Sequence, residues 1–282
     1  MGSYTAVGVM ARLTFREAAR RWVVWVALGL GLLFLVVYGI GFNEIEKDIS
    51  VNQGNSGTLI TAEMHNFLLL AGMYVVNFLT SIMTVLVSVD ALSGEINSGT
   101  IHTVVSKPVP RWQIVLGKWL GFSGMLSLSL LLMAGGVTLV GILVAQTILP
   151  HLVQGMLLMW LIILLLLSVS LLGGTLLSTL ANGVLVFGLF GIGFIGGWIE
   201  QIGAFLNNQA AVNVGVVTSL LLPSEAMWRR AAFEMQSPLV GAMGVSPFGA
   251  SSAPSLVMVG YAVFYMLGVL FLAMRQFSRK DL

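Results

Sequence analysis

The amino-acid sequence predicts an all-α integral membrane protein of about six transmembrane helices, and two observations carry that expectation. Of 282 residues, 57% are hydrophobic and 9% charged, against a globular norm of roughly 45–50% and about 25%. The apolar residues also gather into uncharged runs long enough to cross a hydrocarbon core of about 30 Å, which takes roughly 20 residues at 1.5 Å each. A water-soluble domain has no interior large enough for so much apolar surface, so lipid is the expected solvent.

Residues 1–22 are expected to form an interfacial helix. Val7, Met10, Ala11, Thr14, Phe15, Ala18 and Trp22 share one helical face, while Arg12, Arg16 and Arg20 line the other. Such a helix lies along the membrane surface with its arginines toward water and lipid phosphates. It serves either as an anchor alone or also as a contact for a cytosolic partner. The arginines before an apolar run imitate a signal peptide, but Val23 to Phe42 is longer than a typical h-region and no A-x-A-like site follows. A retained anchor is expected.

Uncharged runs then place spans at 23–42, 67–89, 119–149, 152–180 and 256–274, and a further run from Val184 to about Ile199 gives a fifth in chain order, extended past Glu200 to 184–206. The third and fourth are longer than a bilayer requires and should tilt, kink or project beyond it. Only Pro150 and His151 part them, which predicts a tight helical hairpin. Residues 207–255 form an external loop. Within it Val212 to Leu222 is too short to cross and is expected at the outer interface or re-entrant. Pro223-Ser224 then opens a short external helix with i,i+4 pairs Glu225/Arg229 and Arg230/Glu234.

Orientation follows the basic residues beside the spans. With the N-terminus inside, Arg12, Arg16, Arg20, Arg21, Lys107, Arg111, Lys118, Arg275, Arg279 and Lys280 are cytoplasmic, leaving only Lys47, Arg229 and Arg230 of the 13 outside. The net charge of +2 is small, and no basic stripe with interleaved aromatics appears, so no nucleic-acid partner is expected.

The chemistry-bearing motifs are mostly ones the chain does not carry. There is no cysteine, which excludes disulfides and thiolate metal sites. His65, His102 and His151 fall in different loops without methionine clusters at ligand spacing, so no metal site is expected. Gly117-Lys118 runs into Trp119 and lacks the earlier glycine of a phosphate-cradling loop, so ATP is not bound here. Glu63, Asp90 and Glu200 sit near span ends instead of at midplane, which argues against ion coupling within one chain. Clustered acid–base residues at one depth, which a membrane-embedded enzyme needs, are lacking; no catalytic residue or cofactor is expected. Gly193 and Gly197, like Gly117 and Gly121, have the small-xxx-small spacing that lets helices approach closely, between subunits or within one.

The most informative stretch is 90–118, between the second and third spans. Ser93 can cap a short helix, Glu95 favours its first turn, and Lys107-Pro108 ends it. Pro110 opens the next helix, with Arg111 and Lys118 one to two turns apart. The series Asp90, Gly94-Glu95, Gly99-Thr100, Ser106-Lys107-Pro108, Arg111 and Gly117-Lys118 resembles the cytoplasmic loop of the ABC type-2 exporter permeases. It looks most like the branch containing the nitrous-oxide-reductase maturation permease. The basic N-terminus, six spans and L-L-P-S-E-A-M-W-R-R in the outer loop extend the resemblance over the whole chain.

The resemblance implies a permease subunit of a prokaryotic plasma membrane. It would pair with a second copy or a homologue and rest on a dimer of cytosolic ATP-binding-cassette ATPases, which would bind the ATP and Mg. Residues 93–106 would be the coupling helix, with Glu95 and Arg111 its polar contacts. The alternatives are a mechanotransmitting subunit that moves an external protein without transporting a substrate, and a membrane protein not linked to ATP.

Overall fold

A computed structural model describes residues 3–52, 58–99, 110–237 and 254–280, and among these the chain is helical throughout, with no strand. The elements in chain order are α1 (Ser3–Arg20), α2 (Trp22–Asn52), α3 (Thr58–Ser88), α4 (Ser93–Asn97), α5 (Arg111–Val140, closing in a π-turn at Gly141–Ala145), α6 (Leu152–Leu176), α7 (Thr179–Phe205), α8 (Gln209–Leu221), α9 (Ser224–Met235) and α10 (Leu256–Arg279). Among the described residues six single helices are long and apolar enough to cross a membrane: α2, α3, α5, α6, α7 and α10. Helices are the expected solution, because in lipid each backbone N–H and C=O must find its partner within its own segment. The chain is thus an all-α integral membrane protein.

The leucine-rich α6 is the axis of the bundle; α3, α5, α7, α9 and α10 pack on it, and Leu165, Leu166, Leu167 and Leu171 have no exposed surface. By contrast α2 turns Leu33 and Val37 outward at 59% and 61% exposure. Water would not tolerate such a helix, whereas hydrocarbon does.

The helices run past their uncharged cores: α3 starts at Thr58 and α5 at Arg111. The expected two-residue hairpin at Pro150-His151 is in fact a longer connection, because α5 closes at Ala145 and both Gln146 (φ 51°) and His151 (φ 42°) take left-handed backbone. The apolar run after the fifth span belongs to α8, which folds back on α7 and meets α9 at a 107° bend. Asn208 starts α8 as a true N-cap, accepting from the backbone N–H of Ala210 at 3.1 Å and Ala211 at 3.3 Å.

The N-terminal helix does more than float on lipid: α1 packs along α5. The approach needs glycine, since a methyl carbon at Gly121 would lie 2.7 Å from the Ala11 carbonyl oxygen and one at Gly117 2.5 Å from Met10 Cβ. Arg12, Arg16 and Arg20 remain exposed. Gly121→Val is expected to lever α1 off α5 at a cost of about 1–3 kcal/mol. Limited proteolysis at Arg12 or Arg16 checks this; the variant should be cut faster than wild type.

Candidate functional site

The basic end of the bundle, where α1 meets α2 and α3 leads into α4, gathers most of the residues singled out by the 90–118 motif. Ala91, Leu92 and Ser93 are buried in the turn. Gly174 on α6 lies against that turn: a methyl carbon there would stand 3.4 Å from Leu92 Cβ and 3.5 Å from the Ser93 nitrogen, ordinary van der Waals contact. The Ser93 hydroxyl donates to the Val89 carbonyl at 2.9 Å and lies 3.0 Å from the Thr179 hydroxyl of α7. Ser93 is therefore the first residue of α4 and not its cap: the N-cap is Leu92, without a side-chain bond. A serine that can bond back to the carbonyl four residues earlier does so when a buried site leaves it no water.

Asn182 of α7 fixes the same turn. It is fully buried and its amide donates to the Val89 carbonyl at 2.9 Å and the Ser170 carbonyl at 3.0 Å. Asn182→Ala removes both bonds between α7 and these carbonyls, at about 0.5–1.5 kcal/mol each. The expected result is a lower thermal midpoint in detergent with unchanged expression, read by differential scanning fluorimetry.

Charge pairs brace the turn from the other side. Asp90 is paired with Arg21, which sits between α1 and α2 and also bonds Glu17 at 2.9 Å and the Val87 carbonyl at 3.4 Å. Burial of the guanidinium works against its charge, but the carboxylates of Glu17 and Asp90 outweigh it and hold Arg21 above the usual arginine range. Glu95 of α4 meets Lys118 of α5 at 2.5 Å, with side chains 23% and 4% exposed. Gly94 lies beside Asp90, where a methyl carbon would stand 3.4 Å from the Asp90 Cβ, an ordinary contact. Gly99 closes α4 with φ 72°, a conformation that favours glycine, and its N–H reaches the Ile96 carbonyl at 3.2 Å.

Arg111 is placed differently from Glu95. Its guanidinium donates to the backbone carbonyl of Lys280, and the Lys280 ammonium donates to the Thr175 carbonyl at 2.9 Å. It thus ties the start of α5 to the chain end and to α6. Thr100, Lys107 and Pro108, with the rest of the 93–106 stretch beyond Gly99, lie outside the described residues; the helix seen there is Ser93–Asn97.

Away from this end, a methyl carbon at Gly193 would stand 3.5 Å from the Leu222 carbonyl oxygen and one at Gly197 would meet the side chain of Glu225, so this glycine pair serves the α8–α9 hairpin of the same chain. A methyl carbon at Gly188 or Gly191 would meet no other part of the chain within 4 Å. Glu63 accepts from the Ser237 hydroxyl at 2.6 Å and His65 contacts Glu46 at 2.5 Å. Arg230 pairs with Glu234 as its spacing predicts, whereas Arg229 pairs with Glu200 of α7 instead of Glu225. Among the described residues no group of three or more His, Cys, Asp or Glu is placed to hold a metal ion.

Sequence reasoning named Asp90, Glu95 and Lys118 without their partners, and it missed the roles of Arg21, Thr179 and Asn182. The clustering of basic residues at one set of span ends was the available signal for Arg21; nothing local marks Asn182.

Comparison with curated proteins gives no match. The sequence pattern of the family described as ABC-2 family transporter protein matches residues 9–282. With all six spans and the braced turn inside that match, the chain belongs to the ABC-2 family and is an ABC transporter permease, the membrane-spanning subunit of such a transporter.

Proposed function

We propose that this permease is driven by cytosolic ATP-binding-cassette ATPases through the turn and short helix at Asp90–Gly99, and that it works as an exporter subunit paired with a second permease. The observation that carries this reading is the bracing of α4: Asp90 is tied to the α1–α2 junction, Glu95 to α5, Ser93 and the preceding Val89 carbonyl to α7. A loop that only connects two spans has no need of a buried lysine as counter-ion. A short rigid helix held by three elements passes a push from below to several spans at once.

The distribution of Lys and Arg supports a cytoplasmic location for this end and for both chain ends, in a prokaryotic plasma membrane. ATP and Mg belong to the partner. The α8–α9 hairpin, fastened to α7 by close-packed glycines, moves with α7 at the opposite end. In the branch that the motif series resembles, such motion fits work on an external protein as well as passage of a substrate.

The test is co-purification from native membranes in mild detergent. Wild type is expected to carry a stoichiometric ATP-binding-cassette ATPase, and Glu95→Ala with Arg111→Ala to lose either the partner or its coupled hydrolysis. A folded wild-type complex without any ATPase sinks the proposal and returns the chain to a membrane role not linked to ATP.

A further inference from the structure

At the basic end of the bundle a crevice of about 180 Å³ opens between α1, α2 and α5. Phe15 and Ala19 of α1, Trp25 and Leu28 of α2, and Met125 and Leu132 of α5 line it. Its one hydroxyl, on Ser129, is already spent on the Met125 carbonyl at 3.1 Å. The Trp25 indole N–H donates to the Ala19 carbonyl at 3.0 Å and so ties the break between α1 and α2. Trp22 and Trp25 are 74% and 66% exposed, and tryptophans so placed mark the depth of the lipid headgroups.

Charge stands beside this apolar slot. Arg12 and Arg16 lie three residues before Phe15 and Ala19, which places each about 60° around α1 from the lining residue. With Arg20 they are exposed, and among the described residues none of the three has a hydrogen-bond or ion-pair partner. The single acid of α1, Glu17, is taken by Arg21 at 2.9 Å. Val9 and Leu13, 51% and 55% exposed, share the outer face with the arginines. A face that mixes cations with bare apolar side chains suits the boundary between headgroups and acyl chains, not bulk water.

The volume limits what enters. A cavity of about 150 Å³ holds a benzene-sized body, so this one takes a short stretch of hydrocarbon whose remainder lies outside. A protein reaching the arginines from the cytosol has no need of such a slot at tryptophan depth. We propose that the crevice holds an acyl chain of an anionic phospholipid from the leaflet at the basic end, with the phosphate on Arg12 and Arg16. The lipid then rests against the α1–α2 junction, whose Arg21 is paired with Asp90. The assignment is independent of the ATPase reading.

The experiment is native mass spectrometry of the full chain with phosphatidylglycerol and phosphatidylcholine of matched acyl chains. Wild type is expected to retain the glycerol lipid at least about tenfold better, each arginine near an anionic headgroup being worth a factor of about five. Arg12→Gln with Arg16→Gln should level the two lipids. Arg275→Gln with Arg279→Gln, an exposed pair at the end of α10, should leave the preference unchanged, which separates a seat on α1 from the general positive charge of this end. Ala19→Trp fills the crevice and spares the arginines; it should weaken retention of both lipids. Equal retention of the two lipids by wild type, an equal loss of preference in the α10 variant, or unchanged retention by Ala19→Trp overturns the proposal. So does an α1 double variant that keeps the lipid preference and loses a co-purifying ATPase, since the arginines would then dock the partner.

Discussion

Glu95→Leu is expected to be the most damaging single substitution at the basic end. It strips the Lys118 ammonium, 4% exposed, of the carboxylate that balances it at 2.5 Å. Removing one partner of a buried pair costs about 3–5 kcal/mol in a dry site; here Glu95 is 23% exposed and water reaches the gap, so about 1–3 kcal/mol is the expected loss. The telling comparison is with Glu95→Leu combined with Lys118→Met. The second change removes the stranded charge, so the double variant should recover most of the thermal stability in detergent. Its transport-coupled ATP hydrolysis should stay impaired, because α4 is no longer held to α5. If hydrolysis returns together with stability, the pair is merely structural.

Gly215→Val on α8 is expected to have the largest effect elsewhere. A methyl carbon there would stand 2.7 Å from the Gly196 carbonyl oxygen and 2.9 Å from Glu200 Oε2. A backbone carbonyl within α7 cannot swing aside as a side chain does. The hairpin must therefore lift or the helix must bend, and overpacking of this kind costs about 1–3 kcal/mol for each intrusion. Lifting α8 also parts Glu200 from Arg229. The expected readout is a clear drop in thermal midpoint and new labelling of a cysteine introduced at Ser219, against a chain that has no native cysteine. Gly188→Val is the matched control: nothing lies within 4 Å of that position, so the isolated subunit should keep its stability. Loss of function without loss of stability would place Gly188 against another subunit.

What the sequence made legible was whatever depends on local composition. Lipid-length apolar runs gave the six spans, and arginine at every fourth position gave the outer face of α1. The 90–118 motif marked the candidate site, because glycine, proline and charged residues are concentrated there. The tertiary pairings were not legible. Arg21 and Asp90 are 69 residues apart, and Asn182 reaches Val89 across 93; no periodicity links such residues. Local rules also lost to burial where the two competed. Ser93 looked like a helix cap but turned its hydroxyl to the Val89 carbonyl, and Arg229 gave up its i−4 neighbour Glu225 for Glu200 on another helix. Gly193 and Gly197 had the spacing of a helix contact, yet spacing does not say which helix; the structure supplies α9 of the same chain.

The most direct measurement on the central claim is site-specific cross-linking in native membranes. The chain has no cysteine, so a single cysteine placed at Asn97, exposed at the end of α4, reports without background. Adducts of Asn97→Cys with an ATP-binding-cassette ATPase, strengthened or weakened by nucleotide and absent for Gln209→Cys at the opposite end, are the predicted result. A well-folded Asn97→Cys chain that forms no ATPase adduct under any nucleotide condition, or an ATPase adduct from Gln209→Cys instead, would contradict the account.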